Sequence, residues 1–513
     1  MNKIGFQNFR RFENFTPLEC GPITFLVGRN NAGKSTLVKA FMLVNNYLTS
    51  GDILAFSIGE NVLEEVNIVT YGRALHQPQK EDFIRFFSSH NEFEVEITIS
   101  GNTNDTKVFV RQLVIRDTKN KIEFNYNWKT LSVKKEVITR QVKQDLIDMS
   151  KKIDNEIESN ELMLAELRNK KSSREYLELA DELNQLRSKQ SALKSNIVGL
   201  VTQKLIGEYS IDVDIDYADN FESLFNNFTT SATTNYKRGF DAVERGEEGI
   251  ENFESFRAFY EDLPIFESSI ENFLEVISNI KFVYLSANST KQSALLSIRD
   301  KKNELAQSIH QHYTGLNDQM GFIKKWMKEL EVGEDFDIKL HAGEAYEVKI
   351  KTDNEWIQLA DLGLGSIQAM QLIFRVANIL DGDIYENASD GKKQLKTIFI
   401  EEPELNLHPA LQSKLADLFF EAFDKHQVRF IIETHSEYIL RRSQVIVAEN
   451  DLEIAPNENP FCVYYFPKAV TELPYQMKYQ SDGVFNKNFG EGFFDAASSS
   501  TLELLRMKRQ KLA

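Results

Sequence analysis

Three largely apolar stretches each end in a polar cluster, a pattern typical of buried strands in a parallel sheet. Residues 23–27 (ITFLV) run into a glycine-rich segment. Residues 398–400 (IFI) end in two adjacent glutamates, and 428–432 (VRFII) end in Glu-Thr-His-Ser. Because residues 411–423 have a helical pattern, the second and third strands form a predicted βαβ unit and lie parallel. We therefore expect their polar ends to meet at one edge of a sheet.

Other segments alternate between apolar and polar residues, as strands with one solvent-facing side do. Residues 92–100 and 107–117 predict an antiparallel pair. Residues 335–358 predict a hairpin with a turn near Gly343.

The chain between these elements has its own patterns. Residues 281–287 predict a core strand, followed by one helix over about 291–330. Residues 218–275, rich in phenylalanine and acids, predict short helices and loops without chemistry.

A long polar segment, residues 137–206, contains no proline and a single glycine, Gly199. Apolar residues step by three and four along its second half: Leu179, Leu183, Leu186, Leu193, Ile197 and Leu200. The basic stretch 168–175 interrupts the pattern, which predicts two helices folded back as a short antiparallel coiled coil. Two helices of an ordinary helical subdomain are the alternative.

The glycine-rich segment after the first strand, GRNNAGKS, matches G-x-x-x-x-G-K-[ST] and lies between a predicted strand and helix. Its backbone N–H groups and the helix N-terminus suit phosphate. We expect Lys34 to reach the β- and γ-phosphates of ATP and the Ser35 hydroxyl to bind Mg²⁺. The predicted ATP-binding residues are Asn30, Asn31, Ala32, Gly33, Lys34, Ser35 and Thr36.

The glutamate pair after the second strand suits the same site, because P-loop enzymes bring a carboxylate to the metal from a second strand. We expect Glu401, with Ser35, to be a metal ligand and Glu402 to polarise the attacking water. His435, after the third strand, is a candidate sensor of the γ-phosphate. The alternative for His435 is a helix-capping role, which Thr434 or Ser436 could equally fill.

A second glycine-containing helix start, DLGLGSIQ, is a candidate anion site formed by Gly363, Gly365 and Ser366. It lies far along the chain from the P-loop, and a plain helix N-terminus is the alternative.

Composition restricts the cellular setting. The chain has 513 residues and a net charge of −17, so any nucleic-acid contact needs a local basic patch. Two cysteines, Cys20 and Cys462, fit a reducing cytosol, and no apolar run of about 18 residues predicts a membrane span. We expect a cytoplasmic protein without a membrane partner.

The order of P-loop, glycine signature, Glu-Glu strand and histidine loop resembles that of ABC-type ATPase heads. The likeness is to the branch containing RecF, SMC/Rad50 and the OLD ATPases, and it covers residues 1–48 and 356–442. "NFRRFENF" resembles that branch's opening, "DLGLGSIQ" its signature, "IFIEEPELNLHP" its Walker B and D-loop (Asn406 to His408), and "IIETHSEYIL" its H-loop. The resemblance implies that two heads clasp two ATPs, with Ser366 of one head at the γ-phosphate of the other. It also implies a glutamine loop, for which Gln77 and Gln79 are candidates.

The predicted fold class is α/β: an ABC-ATPase head with a parallel P-loop core sheet and an antiparallel β subdomain. An inserted coiled-coil hairpin and a helical region interrupt the head. The predicted units are 1–135, the first half of the head; 136–206, the hairpin; 207–280, the helical insertion; 281–445, the second half of the head; and 446–513, a C-terminal extension.

Only 78 residues follow His435, which we expect to be too few for a Toprim nuclease domain, and no HNH, zinc or Ser-His-Asp constellation is evident elsewhere. We therefore expect the chain to hydrolyse ATP but not to cut nucleic acid itself. A short-coiled ATPase of this kind resembles the PtuA-type ATPases of Septu anti-phage systems, also found with type I-A retrons. That resemblance implies a homodimer or higher oligomer, an HNH nuclease partner of the PtuB type, and contact with DNA or retron msDNA through the assembly. A RecF-like DNA-repair ATPase and an ATP-binding regulatory scaffold are the alternatives. Docking candidates are the hairpin and the C-terminal stretch LELLRMKRQKLA.

Overall fold

A computed structural model gives the structure of the chain. It describes residues 3–59, 68–76, 82–136, 152, 154, 156–165, 180–187, 208–214, 218–245, 253–287, 292–315, 319–381, 396–450, 452, 459–469, 472–490, 494, 503 and 507.

The strands of the described residues are, in chain order, β1 (Lys3–Phe9), β2 (Phe12–Glu19), β3 (Ile23–Gly28), β4 (Ala55–Ser57), β5 (Ile84–His90), β6 (Phe93–Ser100), β7 (Lys107–Asp117), β8 (Ile122–Tyr126), β9 (Thr130–Glu136), β10 (Glu208–Asp214), β11 (Lys281–Leu285), β12 (Leu296–Ser297), β13 (Asp335–His341), β14 (Ala345–Thr352), β15 (Glu355–Gln358), β16 (Lys396–Glu401), β17 (Arg429–Glu433), β18 (Phe461–Phe466) and β19 (Tyr475–Met477).

The helices are α1 (Lys34–Ser50), α2 (Tyr71–Ala74), α3 (Phe221–Glu244), α4 (Phe253–Glu261), α5 (Leu263–Ser278), α6 (Glu304–Thr314), α7 (Met320–Glu329), α8 (Leu364–Asp381), α9 (Pro409–His426) and α10 (Glu437–Glu449), with a 3-10 turn at Leu359–Asp361. None of the helices in the described part of the chain is both long and apolar enough to cross a membrane.

The core sheet has the strand order β11-β16-β17-β3-β18-β19, and all but β19 run parallel. Strands β3 and β17 are buried along their whole length, because helices or the antiparallel sheet described next cover both of their faces. The three apolar runs identified in the sequence are therefore neighbours. Their carboxyl ends, at Gly28, Glu401 and Glu433, share one edge.

The antiparallel sheet has the order β10-β9-β8-β7-β6-β5-β1-β2, with β4 paired to β7. Residues of this sheet, α1 and α3 to α5 form one hydrophobic core against one face of the core sheet. Helices α6 to α10 and the small β12–β15 sheet form a second core on the opposite face. This parallel core with an antiparallel subdomain confirms the predicted fold class.

The hairpin at 335–358 is confirmed, since β13 and β14 pair around Gly343, whose φ is 72°. The single helix predicted over 291–330 is wrong. Residues 292–303 are non-helical and include β12, and α6 begins only where the Asn303 side chain accepts a hydrogen bond from the Ala306 N–H, at 3.0 Å. Gly315 ends α6, so α7 is a separate helix.

The expectation of only short helices over 218–275 is also wrong, because α3 is 24 residues long. Its apolar side packs into the core of the antiparallel sheet through Phe221, Leu224, Phe225 and Phe228. Phenylalanines at helical spacing were the signal for one long helix.

The predicted coiled coil lies largely outside the described residues. Residues 156–165 and 180–187 are helical, and the Arg187 guanidinium donates to Glu161 Oε1 at 2.7 Å, so these two pieces lie side by side. Leu183 and Leu186 are buried, as the leucine pattern predicts. The hairpin as a whole stays a prediction, as does the C-terminal docking stretch, of which only residues 503 and 507 are described.

Candidate functional site

The loop between β3 and α1 has the backbone of a phosphate cradle. Gly28, Asn31 and Gly33 have φ values of 145°, 62° and 102°, which curl the chain before the helix starts at Lys34. A Cβ on Gly28 would lie 2.4 Å from the Phe466 carbonyl oxygen, so β18 leaves room only for glycine.

Lys34 is buried at the centre of this loop, with 2% of its side chain exposed. Its Nζ donates to the carbonyl oxygens of Gly28 and Arg29, both at 3.1 Å, and lies 3.5 Å from Glu433 Oε1. Burial lowers the pKa of Lys34, and Glu433 opposes that shift. The ammonium group is thus held over the loop by groups of the loop and of β17.

The Ser35 hydroxyl, predicted to bind Mg²⁺, donates to Glu433 Oε2 at 2.8 Å. Glu433 is the last residue of β17, the strand between the P-loop strand β3 and the glutamate-pair strand β16. Sequence reasoning missed Glu433. The available signal was its position: it ends an apolar strand, as Glu401 does.

Glu401 points to a different neighbour. It accepts a hydrogen bond from the Tyr284 hydroxyl, and burial raises its pKa against the opposing effects of Tyr284 and Lys39. The metal role predicted for Glu401 stays a prediction, and Glu433 is the carboxylate in contact with Ser35.

Glu402 has a left-handed backbone, with φ of 46°, which is unusual for a residue with a side chain. Its N–H donates to the Glu433 carbonyl oxygen at 2.7 Å, which fixes this conformation beyond the end of β16. A strained backbone held by its surroundings at a sheet edge is typical of functional positions.

His435 lies beside Glu402, with Nε2 3.8 Å from Glu402 Oε1. Burial lowers the pKa of His435 to about 4, and Lys34 adds to the shift, so the imidazole is neutral near pH 7. The distance between His435 and Glu402 is too long for a hydrogen bond. Because the imidazole is neutral, the two side chains do not form an ion pair either. Ser436 caps α10, since its side chain accepts from the Ile439 N–H at 3.3 Å, and the capping alternative for His435 is excluded.

Glu404 is a second residue that sequence reasoning missed. One of its carboxylate oxygens accepts from the His435 N–H at 2.6 Å, while burial raises the pKa of Glu404. This contact joins the loop after β16 to the loop after β17, and so fixes His435 relative to Glu402.

The predicted signature lies at the start of α8. Helix α8 is joined to the end of β16 because Gln368 donates to the Glu402 carbonyl oxygen at 3.4 Å and accepts from Asn406 at 3.1 Å. A Cβ on Gly365 would lie 2.5 Å from the Asn406 carbonyl oxygen. Gly363, Gly365 and Ser366 thus stand at a helix start packed on the loop after β16, and their action on a second head stays a prediction.

A cleft of about 430 Å³ opens beside the P-loop. The predicted residues that line it are Asn31, Ala32, Gly33, Lys34, Ser35 and Thr36; Asn30 is exposed next to the cleft but does not line it. Gln77 and Gln79 lie outside the described residues.

Four basic side chains also line the cleft: Arg10, Arg11, Lys39 and Arg73. Arg11 donates to the Asn31 carbonyl oxygen and so braces the loop. Burial and the nearby Arg73 lower the pKa of Arg10, as expected for like charges brought together. Such a cluster suits a polyanionic ligand, and the adjacent arginines after the Asn-Phe pair were its sequence signal.

The oxygen groups at the sheet edge suit Mg²⁺, which prefers oxygen ligands and takes few of them from protein when phosphates and water supply the rest. The Ser35 hydroxyl would be the direct ligand, with the carboxylates of Glu401 and Glu433 at the same edge. Across the described ranges, no three His, Cys, Asp or Glu side chains converge as an all-protein metal cage.

In sequence, no curated protein matches this chain. Solved structures of SMC heads are similar to this chain, and three of them follow. The Smc head domain of Pyrococcus furiosus, with an extended coiled coil and bound to the C-terminal domain of ScpA, is 9% identical with a TM-score of 0.34, covering 99% of both chains.

An SMC head bound to the C-winged helix domain of ScpA is 9% identical with a TM-score of 0.35, covering 94% of this chain and 95% of that one. The SMC head domain from Thermotoga maritima is 8% identical with a TM-score of 0.32, covering 93% and 98%. At these TM-scores, the fold assignment rests on the strand order described above.

The family model for the AAA ATPase domain matches residues 1–440, which include the P-loop, the glutamate pair and the histidine loop. This chain therefore belongs to the AAA ATPase domain family.

Proposed function

We propose that this chain binds ATP with Mg²⁺ in the P-loop cleft and hydrolyses it. The observation that carries the proposal is the arrangement at one sheet edge. Lys34 and Ser35 begin α1 after the loop that follows β3, Glu402 follows β16, and His435 follows β17 within 3.8 Å of Glu402. Mg²⁺ bound there would neutralise charge on the phosphate oxygens.

Each residue of this edge has a proposed task. Lys34 binds the β- and γ-phosphates in place of one of its present partners. The Glu402 carboxylate accepts a proton from the attacking water, which makes it the general base. His435, neutral near pH 7, donates its single ring N–H to the γ-phosphate and reports whether that phosphate is present.

We further propose that ATP closes two heads on each other, with Gly363, Gly365 and Ser366 of each completing the site of the other. Support comes from the place of these residues at the N-terminus of an 18-residue helix, where backbone N–H groups favour a phosphate. Within one head, α8 is tied to the loop after β16, so a phosphate touching Ser366 would be coupled to Glu402.

The role we propose for this cycle is control of a partner nuclease of the HNH type in prokaryotic anti-phage defence, with nucleic acid contacted through the assembly. This rests on the resemblance of motif order and short coil to PtuA-type ATPases, and on a net charge of −17, which disfavours unaided DNA binding. The unit boundaries given above and the absence of an intrinsic nuclease belong to the same proposal.

Three experiments test the proposal: one tests hydrolysis, and two test the partner and the division of labour. Phosphate release by the purified chain, compared with Lys34→Ala, tests hydrolysis, and release equal in both would contradict it. Co-purification from the native operon tests the partner: an HNH protein supports the defence role, whereas a DNA-repair partner supports the RecF-like alternative. Metal-dependent plasmid cleavage by the chain alone would contradict the division of labour.

A further inference from the structure

Glu433 occupies a position between the two nucleotide-binding groups of the P-loop. Its Oε2 accepts from the Ser35 hydroxyl at 2.8 Å and its Oε1 lies 3.5 Å from Lys34 Nζ. The side chain is 9% exposed, and it ends the strand directly beside the P-loop strand. A buried carboxylate in contact with both groups is a feature that the proposed hydrolytic mechanism does not use.

The contact with Ser35 has a direct consequence for a metal ion. A hydroxyl has one proton and two lone pairs, and Glu433 takes the proton. The oxygen lone pairs are therefore left for a cation. Removing a group that orients a metal ligand in this way typically weakens metal binding by about 10- to 100-fold.

The contact with Lys34 has the opposite consequence for phosphate. The three N–H bonds of an ammonium group match the three neighbours of Nζ, namely two loop carbonyl oxygens and Glu433. A phosphate that binds Lys34 must displace one of them. It also meets the negative charge of Glu433 at short range, unless a cation lies between.

From these contacts we propose that Glu433 is a positioning residue that makes ATP binding depend on Mg²⁺. With the cation present, Glu433 orients the Ser35 oxygen toward it. Without the cation, its charge opposes the phosphates and retains Lys34. This inference rests on the proposed function, because it concerns the same nucleotide site.

The test is ATP affinity measured by calorimetry for wild type and Glu433→Gln, with Mg²⁺ and with EDTA. Glutamine keeps an acceptor for Ser35 but removes the negative charge, which attracts the cation and repels the phosphates. We expect ATP binding in EDTA to strengthen and ATP binding with Mg²⁺ to weaken. The dissociation constant in EDTA divided by the dissociation constant with Mg²⁺ should therefore fall by about tenfold. A purely structural role would change both constants alike and leave their ratio unchanged, which would overturn the inference.

The matched control is Glu421→Gln, which removes the same charge from a partly buried glutamate paired with Lys325 and Lys425, outside the cleft. Its ratio should equal that of wild type. If thermal melting shows that Glu433→Gln is not folded, Glu433→Asp is used to test the inference instead. The shorter carboxylate keeps the charge but loses Ser35, so only binding with Mg²⁺ should weaken, and an unchanged affinity with Mg²⁺ would overturn the inference.

An error in the proposed function and an error in the role of Glu433 give different results. If wild type binds no ATP with or without Mg²⁺, the proposed function is wrong. If wild type binds ATP with a strong preference for Mg²⁺ and Glu433→Gln retains that preference, only the role of Glu433 is wrong.

Discussion

The antiparallel sheet and the P-loop edge of the core sheet both bury charged groups, but they satisfy them differently. In the antiparallel sheet, Lys135 forms a close ion pair with Asp262 at 2.6 Å. At the P-loop edge, Lys34 is more deeply buried, yet its carboxylate partner Glu433 is 3.5 Å away and loop carbonyl oxygens supply its shorter contacts.

Buried carboxylates show the same contrast. Asp117, at the end of β7, accepts from the Ser269 hydroxyl at 2.6 Å, the Asn120 amide at 2.8 Å and two backbone N–H groups at 2.9 and 3.0 Å. At the P-loop edge, burial raises the pKa of Glu401, Glu404 and Glu433, so their charged forms are incompletely compensated there. In the antiparallel sheet, groups of the protein itself compensate the buried charges, whereas the P-loop edge is arranged to bind a charged ligand.

Among substitutions in these two regions, Lys34→Ala should have the largest effect. Removing the ammonium group deletes the charge-assisted hydrogen bonds to the phosphates, and ATP affinity should fall by about a hundredfold or more. Calorimetric titration with Mg·ATP measures it. An affinity equal to that of wild type would show that the loop does not bind phosphate.

Glu402→Gln should spare binding and reduce hydrolysis. The amide has the volume of the carboxylate but cannot accept the proton of water, so turnover should fall by about a hundredfold. Light scattering should show that this variant, loaded with ATP, stays dimeric while wild type returns to its starting size. Normal turnover in Glu402→Gln would mean that another group is the base.

Asp117→Ala is the counterpart in the antiparallel sheet. It leaves the buried Ser269 hydroxyl and three partly buried donors of Lys119 and Asn120 without their acceptor, and should lower the free energy of unfolding by about 2 kcal/mol or more. ATP affinity should stay within about twofold of wild type, because no part of the cleft changes. Loss of ATP binding in a folded Asp117→Ala protein would erase the distinction between the two regions.

The smallest expected effect is on the acid side of the stability profile. Burial lowers the pKa of His435 from its ordinary value of 6.5 to about 4. Between these two values the unfolded chain binds more protons than the folded one, so His435 makes stability fall as pH falls from 6.5 toward 4.

The matched variant for this prediction is His435→Gln, which cannot titrate. Because the His435 side chain is 31% exposed, solvent reduces the effect, and we expect wild type to lose about 1–2 °C more in Tm than His435→Gln between about pH 7 and about pH 5. Equal losses would mean that His435 is not buried as a neutral group.

The core of the site could be predicted from sequence because its signals are local. The P-loop motif fixes a backbone conformation within eight residues, and largely apolar runs mark strands buried on both faces. The neighbourhood of Glu402 and His435 follows from the βαβ connection alone.

The missed residues depend on contacts that no local pattern carries. That Glu433, and not Glu401, touches Ser35 follows from β17 lying between β16 and β3, a strand order that periodicity does not reveal. The late start of α6 reflects the pairing of β12 with β14 and the capping side chain of Asn303, neither of which the helical pattern over 291–330 reveals. Both failures come from tertiary arrangement or single hydrogen bonds rather than from composition.

Whether the P-loop edge hydrolyses ATP is decided by phosphate release under saturating Mg·ATP, measured side by side for wild type, Lys34→Ala and Glu402→Gln. We expect steady release by wild type, release at background by Lys34→Ala, and release about a hundredfold slower than wild type by Glu402→Gln. Background release by folded, ATP-bound wild type would contradict hydrolysis, and equal release by all three proteins would contradict the site itself.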